Sequence, residues 1–257
     1  MTRQVAAGYS VAEPFVAERQ CPSAPERPEP DPSGPRLMVL AAGYAARAVA
    51  AVRPDELGTP TPCAGWDLRR LLEHLEESVT ALREGLVLGR VAAAPGRWGE
   101  GTAEGGAGGP TACGTTRRGR EPRGPTCEPV TRALVALETL SRAGREHGVR
   151  GRGRRDPVLA AGVPLCATLL HRAGAVELVV HGWDVAAAWC RAGGRPPPPP
   201  PALAAALLPV LPLVVPPPAD RGTLFAAPVA VPEAASAGVR LLAALGRRCR
   251  PVGPPFG

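Results

Sequence analysis

Apolar residues recur at intervals of three and four along most of the chain, which is the spacing of amphipathic helices. The pattern predicts four long helices, over 37–52, 68–88, 128–147 and 165–191. Two shorter helices are predicted at 202–208 and 234–245, the second ended by Gly246 as the residue after its C-cap, and a β-prone stretch at Thr223–Val231 lies between them. The pattern therefore predicts a mainly α fold with a small C-terminal segment.

The second predicted helix has the clearest pattern. Asp67 is its expected N-cap, because an aspartate at this position can accept a hydrogen bond from the first turn. One stripe should face the core: Leu68, Leu72, Leu75, Val79, Leu82 and Leu86. The neighbouring stripe is smaller and more polar, and we expect it to line a cavity: Asp67, Leu71, His74, Ser78, Ala81 and Gly85.

Proline and glycine divide the chain into segments. The 33 Pro and 31 Gly are clustered. Residues 1–36 have few large apolar side chains and are interpreted as a disordered leader, and 89–126 as a mobile loop. Residues 196–201 form a polyproline break, expected to be a semi-rigid spacer. We therefore predict a helical domain over 37–195 and a small C-terminal α(+β) segment over 196–257.

The net charge of +7 raises the question of a nucleic-acid partner. All the basic residues are arginine, and many lie in Gly-rich stretches at 117–123 and 150–155. These stretches are either tethers for a polyanion or solvated loops. No aromatic stacking platform accompanies them, so we expect no nucleic-acid partner.

Seven cysteines, an odd number without a CxxC pair, argue against a disulfide framework or a thiolate zinc site. The N-terminus shows no secretory signal pattern. The most apolar stretch, Ala202–Val215, is short and contains Pro209 and Pro212, so we expect no membrane partner. The expected location is the cytoplasm.

Glu177 and His181 are the residues with the most specific chemistry. They are four residues apart in a predicted helix and therefore share one face. A carboxylate and an imidazole at that spacing can bind one metal ion, with His74 of another helix as the third ligand. The alternative is an ordinary ion pair worth a few tenths of a kcal/mol beside a packed histidine.

Three segments carry a resemblance to a known family. Residues 61–67 read TPCAGWD and lead into LLEHL at 71–75; 177–186 read ELVVHGWDVA; 240–247 read RLLAALGR. Together they resemble the metal-binding domain of mycothiol-dependent maleylpyruvate isomerases, of the DinB-like four-helix-bundle superfamily. The continuation after Val185, AAAWC, departs from the usual polar-plus-Gly pattern.

The resemblance implies a divalent metal, usually zinc, bound by His74, Glu177 and His181. It also implies that mycothiol, a small-molecule thiol, is activated by the metal for attack on an electrophile. Two function classes stay open: a metal- and thiol-dependent isomerase or transferase, and a non-catalytic metal-binding module with a regulatory or interaction role. The residues assign neither a catalytic group nor an oligomeric state.

Other residues near these motifs have two readings each. Asp184, three residues after His181, is a candidate to orient a ligand imidazole, or else a capping residue. Cys63 is either a redox group near the metal or a packed turn residue. His147 and His171 match no motif and are interpreted as surface or packing histidines.

Overall fold

A computed structural model describes residues 34–91, 128–149, 157–160, 162–190, 196–221 and 225–249, all within one compact unit. The four long helices of this part of the chain are α1 (Gly34–Ala50), α2 (Leu68–Leu88), α3 (Glu128–Val149) and α4 (Ala167–Trp189). Helices α1 and α2 each pack against both α3 and α4, forming a bundle. The mainly helical prediction is confirmed. Helix α1 begins at Gly34, so the last residues of the predicted leader are helical; residues 1–33 lie outside the described residues.

Helix α2 follows its sequence pattern closely. The Asp67 carboxylate accepts a hydrogen bond from Arg70 N at 2.8 Å, and Gly89 ends the helix with a φ of 67°. The predicted core stripe is buried along its whole length. The neighbouring stripe is packed at its far end, because a Cβ on Gly85 would stand 2.6 Å from Leu170 Cδ2. The predicted cavity therefore does not extend to that end.

A small sheet lies beside α2 and α4. Its strands are β1 (Arg90–Val91), β2 (Pro157–Ala160) and β3 (Val163–Cys166), in the order β1-β2-β3. Strand β1 is parallel to β2, and β2 forms an antiparallel hairpin with β3. The hairpin corrects the prediction that α4 starts at Leu165: cross-strand pairing of Leu165 with Val158 outweighs the local apolar pattern. The rest of the predicted loops, 92–126 and 150–155, lies outside the described residues.

Helix α4 is apolar on nearly every face and packs against α1 and α2. Buried His171 acts as a packing residue: its Nδ1 donates to Ala167 O at 2.6 Å, and its ring stacks at a tilt beside His147, with centroids 5.2 Å apart. The polar residues of the second half of α4 stand out against this apolar surface. They are Glu177, His181 and Asp184.

The C-terminal segment contains α5 (Pro201–Leu207), α6 (Leu211–Val214) and α7 (Ala237–Ala244). Extended residues 196–200 pack on α7, where a Cβ on Gly238 would stand 2.6 Å from Pro199 O. Residues 225–231 form no strand, contrary to the β-prone reading; Val229 N instead donates to Ala243 O of α7. Among the described residues, no helix is both long and apolar enough to cross a membrane.

Candidate metal centre

Three predicted ligands meet between α2 and α4. His74 Nε2 lies 3.0 Å from Glu177 Oε1, and His181 Nε2 lies 3.3 Å from the same oxygen. The two imidazole rings meet edge to face with centroids 5.0 Å apart. The i, i+4 spacing on α4 brings Glu177 and His181 together, and the packing of α2 on α4 adds His74. The expected convergence is therefore present in the fold.

The spacing of these donor atoms suits one metal ion. Ligand atoms of the three residues all lie within 4.8 Å of one another. Ligands held about 2.0–2.2 Å from a tetrahedral ion are separated by about 3.4 Å, close to the 3.0 and 3.3 Å between carboxylate and imidazoles. Two imidazoles and one carboxylate are also a donor set that zinc accepts, with one position left for another molecule.

Ser78, one turn after His74, completes this polar group. Its hydroxyl donates to Glu177 Oε1 at 3.1 Å and lies 3.4 Å from His74 Nε2. The serine is buried, so its hydrogen bond holds the carboxylate in place. Ser78 was predicted to line a cavity together with the other residues of the His74 stripe. Its hydrogen bond to Glu177 was not predicted.

The charges of the group are tightly coupled. Burial alone would raise the pKa of Glu177, but the charges and hydrogen bonds of His181 and His74 outweigh it and hold that pKa well below its usual range. Burial alone would lower the pKa of His181, but attraction to Glu177 and the hydrogen bond to Asp184 raise it well above its usual value. In the metal-free protein the site therefore favours the Glu177 carboxylate beside a protonated His181. A metal ion would take the place of the imidazole proton as the positive charge.

The far side of His181 contacts Asp184. The Nδ1 atom lies 3.2 Å from Asp184 Oδ2, and an ionised carboxylate can only accept, so Nδ1–H donates. This bond fixes the ring with Nε2 facing Glu177 and His74, so Nε2 is the nitrogen that would give up its proton to bind a metal ion. The orienting role predicted for Asp184 therefore has the required geometry, and the carboxylate is fully buried.

Arg247 provides a salt bridge to that carboxylate. Its Nη2 donates to Asp184 Oδ2 at 2.7 Å, and its Nε donates to Oδ1 at 3.1 Å. Burial alone would raise the pKa of Asp184, but hydrogen bonds from His181 and Arg247 lower it. Asp184 is therefore a paired anion despite its complete burial.

Arg247 reaches the site because of how α7 ends. Gly246, with a φ of 79°, forms a Schellman motif in which Arg247 N donates to Leu242 O at 2.8 Å and Gly246 N to Ala243 O at 3.0 Å. The turn directs the Arg247 side chain back toward α4, where its Nη1 also donates to Leu245 O at 2.9 Å. The predicted glycine position is confirmed; the contact it creates was not predicted.

A second group of possible ligands lies behind His181, formed by Cys63, Asp184 and the Nδ1 side of the imidazole. The Cys63 thiol donates to Asp184 Oδ2 at 3.3 Å and lies 3.8 Å from His181 Nδ1. However, Arg247 Nη2 lies 3.4 Å from Cys63 Sγ and 2.7 Å from Asp184 Oδ2. The guanidinium occupies the place that a second cation would take, so this group orients His181 and does not form a second metal site.

Of the three candidate ligands, Glu177 is the most exposed to solvent. About a third of its side chain is exposed, 32%, against 12% for His74 and 11% for His181. Trp66 lies against the other side of His74, with ring centroids 4.8 Å apart, and the Arg70 guanidinium stacks 5.4 Å from the Trp66 ring. An aromatic and a cationic group therefore flank the ligands at the surface.

Residues 40–186, more than half of the chain, match the family model described as Mycothiol maleylpyruvate isomerase N-terminal domain. The match includes all three predicted ligands and agrees with the DinB-like four-helix bundle expected from the resemblance. Neither the curated proteins nor the solved structures contain a significant match to this chain.

Proposed function

Because the chain belongs to the mycothiol maleylpyruvate isomerase N-terminal domain family, we propose that it binds one divalent ion, zinc, between His74, Glu177 and His181. We propose further that it activates a small-molecule thiol, mycothiol, for attack on an electrophilic substrate. The observation that carries the proposal is the meeting of two imidazoles and one carboxylate within 4.8 Å at the end of a buried polar network.

The chemistry of this donor set supports a thiol as the incoming group. A zinc ion with two neutral imidazoles and one carboxylate supplies net positive charge, which favours thiolate over thiol near neutral pH. The protein's own contribution is orientation: Asp184 holds His181 by its Nδ1–H, and Ser78 holds Glu177 by its hydroxyl. These two hydrogen bonds keep the ligands in the geometry that metal binding needs before a substrate arrives.

An enzyme is favoured over a non-catalytic module by the exposure of Glu177. A purely structural metal site is closed by four protein ligands, whereas this one has three and an exposed edge. The four cysteines in the described part of the chain are free thiols, which suits the cytoplasmic location that we propose.

Metal analysis followed by turnover tests the proposal. We expect the purified protein to bind one zinc per chain, and zinc-loaded protein to consume an electrophile in the presence of mycothiol faster than with glutathione. His74→Ala should abolish turnover and most zinc binding, because two remaining ligands do not form a competent site. His147→Ala is the matched control, since this histidine lies beside His171 and away from the ligands.

Two results would count against the proposal in different ways. Zinc binding by His74→Ala equal to that of the wild type would remove the site assignment. Tight zinc binding without thiol-dependent turnover of any electrophile tested would leave a metal-binding module as the better description of the chain.

A further inference from the structure

We propose that Arg247 is a positioning residue for the metal centre, acting through Asp184 to hold the His181 ring with its Nε2 facing Glu177 and His74. Arg247 lies outside the family-matched region 40–186. The C-terminal segment is then part of the metal centre. The inference rests on the proposed function for the presence of the metal, whereas the hydrogen bonds that support it are formed between groups of the protein itself.

The Asp184 carboxylate is fully buried and is hydrogen-bonded by Arg247, His181 and Cys63. Arg247 bonds both of its oxygens, through Nε to Oδ1 and Nη2 to Oδ2. A two-bond contact of this kind fixes the plane of a carboxylate as well as its position. Without the guanidinium, the carboxylate keeps only single contacts to His181 and Cys63, which do not fix that plane.

Asp184 in turn holds the imidazole of His181. The acceptor at Nδ1 determines how the ring is turned, and so keeps Nε2 facing the metal position. Asp184 Oδ2, at 3.2 Å from Nδ1, is shared between Nδ1–H and Arg247 Nη2. Loosening Asp184 therefore lets the ring rotate, and Nε2 then faces the metal position in only a fraction of the protein.

Arg247 is itself held firmly. The Schellman turn fixes its backbone, and Nη1 donates to Leu245 O. A Cβ on Gly246 would stand 2.5 Å from Ala226 Cβ, so the turn is also closely packed. The guanidinium thus reaches Asp184 from a rigid position, as a positioning group must.

Arg221 offers a matched control in the same segment. This buried arginine donates to the carbonyls of Pro216, Ala226 and Ala244, and these three hydrogen bonds do not involve the metal centre. Loss of Arg221 loosens the C-terminal segment around α7 without removing the bonds to Asp184. It therefore separates a general packing effect from the specific link to His181.

The experiment combines imidazole ¹⁵N NMR of the metal-free protein with zinc titration. Wild-type His181 should show an Nδ1–H proton that exchanges slowly with solvent, because its acceptor Asp184 is fully buried. Arg247→Met should speed this exchange and weaken zinc binding by about 10–100-fold, the usual effect of removing an outer partner of a metal ligand. Arg247→Lys should restore part of the affinity, because an ammonium keeps the charge but not the two-bond geometry. Arg221→Met should leave the His181 signal unchanged.

If Arg247→Met and Arg221→Met speed the exchange of the His181 Nδ1–H proton equally, or if neither does, Arg247 is only a packing residue and the inference is wrong. If Arg247→Met does not fold, Arg247→Lys makes the same comparison with Asp184 still paired. If Arg247→Met speeds this exchange but the wild-type protein binds no zinc, the proposed function is contradicted and the positioning role stands.

Discussion

At the scale of single residues, His181 is contacted on one side by Glu177 and on the other by Asp184, which in turn pairs with Arg247. Glu177 and His181 share a helix face by spacing alone, and the resemblance points to His74 as the third member. Arg247 is one of 30 basic residues, and its contact with Asp184 joins positions 63 apart. Gly246 was predicted to turn the chain after α7. That this turn brings the Arg247 side chain to α4 depends on tertiary packing, which the sequence pattern does not show.

Replacing a ligand and replacing a core residue should have separable effects. His181→Ala should lose most bound zinc and stay folded, because the Leu-rich core does not depend on the ion. Leu75→Ala, at a fully buried position one residue from His74, should lower the free energy of unfolding by about 2–5 kcal/mol through a cavity. Zinc titration and urea unfolding of both variants measure the two effects.

Two outcomes would contradict these expectations. If His181→Ala unfolds the protein outright, the site is structural, and the enzyme proposal loses its main support. If Leu75→Ala abolishes zinc binding while its fold persists, the core packing of α2 positions the ligands more directly than we infer.

At the scale of elements, a helix was predicted best when its buried face and its solvent-exposed face differ clearly in polarity. Helix α2 has one buried stripe and a polar face, so its bounds and N-cap were predicted correctly. Helix α4 is apolar all round, and its pattern cannot distinguish helix from the strand that precedes it. The β2–β3 hairpin was missed for this reason: a short apolar run becomes a strand only through the partner it pairs with.

The close packing of α1 on α4 predicts opposite effects for two glycines. A Cβ at Gly182 would stand 2.9 Å from Ala45 Cα, and backbone cannot move aside cheaply. Gly182→Ala should therefore lower the free energy of unfolding by about 1–3 kcal/mol. At Gly43 the nearest atom is Arg47 Nη1 at 3.8 Å, so Gly43→Ala should raise it by up to about 1 kcal/mol. Chemical denaturation of both variants measures the difference; equal effects would mean that α1 and α4 are not held this closely.

At the scale of the whole molecule, the segments predicted from composition share one polar network. The sequence places a boundary near residue 195, where a proline run begins. Yet Arg247, beyond that boundary, pairs with Asp184 of α4, and Pro199 packs on Gly238 of α7. Composition registers proline content, but it carries no information on which buried charge a distant arginine pairs with. The mainly helical bundle was predictable because each helix carries its own pattern; the pairing of Arg247 in the C-terminal segment with Asp184 was not.

The fold as a whole should lose stability in mild acid through His171. Burial lowers the pKa of this histidine from 6.5 to about 4, the neighbouring charge of His147 adds to the effect, and the hydrogen bond to Ala167 opposes it. As the pH falls, His171 therefore takes up a proton near pH 6.5 in the unfolded chain but only near pH 4 in the folded protein. The contribution of His171 is complete above pH 6.5 and is lost as the pH falls through this window, by up to about 3 kcal/mol.

Urea unfolding of metal-free protein at several pH values between 6.5 and 4 tests this effect. Other groups titrate in the same range, so the informative quantity is the difference between the wild type and His171→Leu, which cannot take up the proton. The variant should lose less stability than the wild type across the window, whatever its stability at neutral pH. Parallel pH profiles for the two proteins would show that His171 is protonated in the folded state as readily as in the unfolded chain, and that its burial between α1 and α3 carries no cost in acid.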